Sequence, residues 1–173
     1  MEKLSNSNLR NFDVVNIGLR AGAIAIAVNT AMLAAADELG LTTARGGLLK
    51  LIINTFATKS NNSGGNLTGF WIEPLANTYG FQVFFHCLVG LLMAMLFVKL
   101  ASRYIKNHAW SSGLMAAFIT WMINAIIVLP LLSEGFAGTQ NIGPVGVTYF
   151  AVAHTTFFII LSLNARHQML SRD

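Results

Sequence analysis

The chain has 173 residues, 54% of them hydrophobic and only 10% charged, with a mean hydropathy of +0.59. A soluble domain is about a quarter charged and needs that charge at its surface, so the composition excludes a soluble enzyme and a disordered tail and points to one integral domain with the lipid bilayer as its solvent. The net charge of +4 reflects scarce acids rather than a basic run able to track a phosphate backbone, which excludes nucleic acid as a partner, and the single cysteine, Cys87, excludes an intrachain disulfide and a Cys-rich metal site.

Four apolar stretches follow in order, at residues 14–36, 81–100, 110–132 and 145–163. Each holds roughly 19–23 residues, enough to cross a hydrocarbon core of about 30 Å at 1.5 Å per residue. The first is rich in Ala and carries Arg20, which can snorkel to the near interface, and Asn29. It has a second reading as a signal peptide, with Ala34-Ala35-Ala36 before Asp37 as a small-residue cleavage site. A long connection at residues 39–80 comes next. Its residues 46–57 (GGLLKLIINTFA) read as an interfacial amphipathic helix, SNNSGG as a flexible turn, and Trp71 and Tyr79 as interfacial aromatics. Asn66-Leu67-Thr68 matches a glycosylation sequon by chance composition. Trp110 opens the third stretch, and Pro130 kinks or closes it. The link GFAGTQNIGPVG, with four glycines, reads as a tight, flexible connector to the fourth.

Loop charge sets the orientation. Lys3, Arg10 and Arg20 lie before or early in the first stretch, Lys99, Arg103 and Lys106 link the second to the third, and Arg166 and Arg172 follow the fourth. Only Arg45, Lys50 and Lys59 fall on the other side. The excess places both termini in the cytoplasm. The expected fold is therefore all-α, a four-helix transmembrane bundle with one long extracytoplasmic loop, in a bacterial inner membrane.

Ionisable and polar residues inside a membrane are costly and usually have partners. His86 lies about six residues into the second helix, roughly 9 Å deep, and His154 about nine residues into the fourth, roughly 13 Å from the same side. Asn29, Asn124 and Thr120 fall in nearly the same layer. Small residues share their stripes: Gly18, Gly22 and Ala25 lead to Asn29, Gly113 and Ala117 lead to Thr120 and Asn124, and Gly90 follows His86. Such spacing lets membrane helices approach closely and hydrogen-bond across the contact, so this polar layer faces the bundle centre. Cys87, about 100° away from His86, does not chelate with it and reads as a packed apolar residue.

The histidine pair admits four readings. The imidazoles fix helix register through hydrogen bonds; or they ligate a haem b axially; or they form a proton or ion path with Asp37, Glu38 and Glu134 near the helix ends; or they hold a metal with one of those carboxylates. No Ser–His–Asp set, HExxH or phosphate loop is present. Chemistry on a lipid or quinone would have to sit near Trp71, Glu73 and Glu134, without a catalytic set.

His86 with Gly90, the run Gly113 to Ala117, Trp121, Leu129-Pro130-Leu131 and His154 resemble the pattern of small bacterial inner-membrane proteins of the YagU-like type, over about half the chain. That resemblance implies an inner-membrane location and a link to acid or envelope stress. The expected function is a non-enzymatic multi-pass protein acting as an accessory subunit of a larger membrane complex or as a homo-oligomer. The alternative is a haem-binding or proton/ion-conducting protein using His86 and His154.

Overall fold

The computed structural model describes residues 11–42, 49, 52 and 78–171. Helix α1 spans Asn11–Glu38, α2 spans Tyr79–Ile123, and α2 runs on through a π-helical turn, Asn124–Val128, into the last turn α3, Leu129–Leu131. A 3-10 turn, Phe136–Gly138, precedes α4, Pro144–Leu170. There is no strand among the described residues. Three helices are long and apolar enough to cross a membrane: Phe12–Glu38, Tyr79–Leu131 and Pro144–Leu170. Large apolar side chains such as Leu92, Leu96, Phe118, Ile126 and Val152 stay exposed on their outer faces, as lipid-facing residues do.

The expected link between the second and third stretches is almost absent. Residues 101–107 are helical, and the break narrows to His108, whose φ of −136° and ψ of 59° leave the helical region. The Ser112 hydroxyl donates to the freed His108 carbonyl at 2.8 Å, and the Ser111 hydroxyl at 3.2 Å. Short polar side chains in the first turn of a new helix do this readily.

Packing follows from the contacts each half of α2 makes. Before His108, small residues bring α1 close: a Cβ on Gly18 would lie 2.9 Å from the Met95 Cα, and one on Gly22 would lie 2.6 Å from the Ala94 Cβ. After it, a Cβ on Gly113 would lie 2.9 Å from the Phe158 carbonyl oxygen. Ser162 pairs with Ala109, and Gly113 meets Phe158, so α4 runs antiparallel to the second half of α2. Phe97 meets Phe158 edge-on at 5.6 Å and Lys106 meets Arg166, so α4 runs parallel to the first half. The two halves therefore run in opposite senses against one neighbour. Asn29 with Ala153 and Met32 with Tyr149 set α4 antiparallel to α1.

The core between them holds Ile17, Ala21, Ala94, Val98, Ile105, Ala117, Phe157, Leu161 and Ala165, with Cys87 packed at its edge. One end of the molecule collects the last turn of α1, the first of α2, the 132–143 connector and the first turn of α4, where the Thr42 carbonyl packs directly on Gly146. The other end collects the start of α1, His108 and the end of α4, with the cations Lys99, Arg103, Lys106 and Arg166.

Pro130 closes its helix as expected, but a π turn precedes it. The Leu129 N–H reaches back five residues to the Asn124 carbonyl, a register shift of the kind that accommodates a missing proline donor. The glycine-rich connector is not loose. Gln140 N–H donates to the Glu134 carbonyl and Ile142 N–H to the Gly138 carbonyl, and Ala137, Gly138 and Ile142 are buried. Gly135 and Gly138 take φ of 75° and 80°, and Ser133 and Ala137 take φ of 61° and 53° without the freedom of glycine.

Of residues 46–57 only Leu49 and Ile52 are described, both helical, Leu49 buried and Ile52 exposed. The expected flexible turn, the sequon at 66–68, Trp71 and Glu73 lie outside the described residues.

Candidate binding cavity in the helix interior

A cavity of about 150 Å³ opens between α1, both halves of α2 and α4, towards the end remote from His108. His86, His154, Asn29, Thr120 and Asn124 all line it. These are the five residues that the sequence places in one layer, and the structure brings them together. The reversal of α2 makes this possible: Gln82, His86 and Met93 reach the cavity from its first half, Thr120, Asn124 and Leu129 from its second.

Three of its polar side chains are tied to helix backbone. The buried Asn29 amide donates to the Ala153 carbonyl at 2.9 Å, linking α1 to α4. The Asn124 amide donates to the Thr120 carbonyl one turn back at 3.0 Å. His154 Nδ1 lies 3.0 Å from the Phe150 carbonyl oxygen. A carbonyl only accepts, so in the neutral ring Nδ1 carries the proton and Nε2 keeps a lone pair. The His154 ring also stacks obliquely on Phe150 at 4.2 Å between centroids.

Apart from Gln82, the remaining wall is apolar and includes Ile26, Leu33, Leu49, Phe85, Val89, Val128, Phe150 and Phe157. The sequence reading missed the aromatic and glutamine members, although helical spacing marks them. Gln82 lies four residues before His86, and Phe150 and Phe157 lie four before and three after His154, on the same faces.

Other expected participants lie elsewhere. Asp37 and Glu38 are exposed at the end of α1, and Glu134 sits half-buried in the connector with one carboxylate oxygen buried and without a hydrogen-bond partner. No three His, Cys, Asp or Glu side chains converge among the described residues, so the metal site of two histidines and one carboxylate is not assembled there. No protein family, curated protein or solved structure matches the chain.

Proposed function

We propose that the chain is a non-enzymatic multi-pass protein of the bacterial inner membrane, a four-helix bundle in which Tyr79–Leu131 supplies two spans that turn at His108 and both termini are cytoplasmic. The observation that carries this is the opposite sense of the two halves of α2 against α4. A single straight helix of 53 residues would measure about 80 Å at 1.5 Å per residue, far more than a bilayer core of about 30 Å. Two spans of about 40 Å each cover that core together with its headgroup regions, about 40–45 Å in all. The cations gathered at the His108 end agree with the positive-inside rule. The bundle acts as a homo-oligomer or as an accessory subunit of a larger membrane complex. Extraction in mild detergent, followed by light scattering and quantitative pull-down, is expected to give a defined oligomer or a stoichiometric partner. A clean monomer without a partner contradicts it.

The second reading keeps the histidines in play as a proton path, because His86 and His154 line one cavity. It carries the link to acid stress that the YagU-like resemblance implies. On that reading His86→Ala or His154→Ala lowers proton flux in liposomes, or acid survival in cells, while the protein stays folded. Unchanged flux in both variants removes it.

A further inference from the structure

The cavity has the volume of a single aromatic ring, and three of its polar members, Asn29, Asn124 and His154, carry acceptor atoms beside the N–H groups they commit to backbone. A cavity of about 150 Å³ lined by Leu, Ile and Phe takes up benzene, and this one has the same volume with Phe85, Phe150 and Phe157 in its walls. Its polar members set the chemistry. Asn29 and Asn124 each commit one amide N–H to a backbone carbonyl, leaving an oxygen with two lone pairs against one N–H. Neutral His154 commits its only N–H to Phe150 and leaves the bare Nε2. An occupant that only accepts hydrogen bonds leaves most of these lone pairs unmet, and unmet polar groups away from water are costly. An occupant with one O–H meets one of them, and its oxygen accepts in turn from an amide N–H.

We propose that this cavity binds a single-ring phenol, with its ring among the phenylalanines and its single O–H donating to His154 Nε2. The inference deepens the bundle reading, since both halves of α2 wall the cavity. Two sources share this chemistry: a free phenol, and the ring of a hydroquinone held in the bilayer by an isoprenoid tail.

The test uses the full chain in lipid nanodiscs, with empty discs as the partition control, titrated calorimetrically with phenol, anisole and toluene. Anisole keeps the ring and oxygen but has no O–H. Phenol is expected to bind saturably and about fivefold or more tighter than anisole, the ratio worth one neutral hydrogen bond. His154→Phe is expected to erase that preference, and Val128→Phe, which fills the cavity, to abolish binding of all three. If a variant fails to fold by circular dichroism, imidazole nitrogen resonances of the unmodified protein give the second readout: phenol shifts the His154 Nε2 signal and toluene does not. Phenol binding no tighter than anisole, or no saturable binding beyond empty discs, overturns the proposal. A hydroquinone bearing one isoprene unit identifies the source. Tighter binding in competition with phenol assigns the membrane-held ring, and failure to compete assigns a free phenol; both support the class. Loss of phenol binding with the bundle topology intact rejects the ligand alone, whereas a different topology rejects the bundle beneath it.

Discussion

Asn29 and Ser162 are the buried polar side chains among the described residues, and both serve neighbouring helices. Ser162 donates to the Ala109 carbonyl at 2.7 Å, just past the His108 break. Asn29 donates to the Ala153 carbonyl. Hydrogen bonds between helices in a membrane are worth about 0.6 kcal/mol on average and seldom more than about 1.7 kcal/mol. Asn29→Leu should therefore cost about 1 kcal/mol or less in an SDS unfolding titration. Asn29→Asp should cost clearly more, since a carboxylate cannot donate to Ala153 and an acidic side chain at this depth carries a penalty of about 2.5–3.5 kcal/mol. Equal costs would mean that the amide's donation is not its role. The residues of the polar layer were legible in the sequence because depth in a helix follows from a fixed rise per residue. Their partners were only partly so: the sequence offered each histidine an Asn, a Thr or a carbonyl, and His154 takes a backbone carbonyl, as Asn29 and Asn124 do. Every residue carries a carbonyl, so composition cannot single one out.

At the scale of elements, close approach at glycine decides how the helices pack. A Cβ on Gly113 would meet backbone, the Phe158 carbonyl oxygen at 2.9 Å and the Ile159 Cα at 3.1 Å, so neither side yields cheaply. Gly113→Ala should destabilise by about 1–3 kcal/mol, the usual cost of overpacking. Gly80→Ala has nothing within 4 Å and should be neutral or stabilise by up to about 1 kcal/mol through helix propensity. Thermal melts of the two variants in one detergent check the contrast, and the account fails if Gly113→Ala is as harmless as Gly80→Ala. The helices themselves were largely readable: 14–36 falls within Asn11–Glu38 and 145–163 within Pro144–Leu170. Hydropathy marks where a helix is in lipid, not where it ends. Arg103 and Lys106 are good helix formers, so α2 continues past the apolar stretch to His108. The π turn ahead of Pro130 and the left-handed residues Ser133 and Ala137 depend on backbone hydrogen bonding and tertiary packing, and neither leaves a mark in composition.

At the scale of the whole molecule, the bundle depends on Tyr79–Leu131 crossing the membrane twice. Two crossings place Asn107 and the chain's end on one side and the 132–143 connector on the other. One continuous crossing would bury Asn107 in lipid and separate it from both. The direct measurement is labelling of intact cells and inverted vesicles with a membrane-impermeant maleimide, using Asn107→Cys, Gln140→Cys and Ser171→Cys singly in a Cys87→Ala background. With two crossings, Gln140→Cys labels in intact cells, and Asn107→Cys and Ser171→Cys label only in inverted vesicles. An Asn107→Cys protein protected in both preparations, or labelled on the same side as Gln140→Cys, would contradict it.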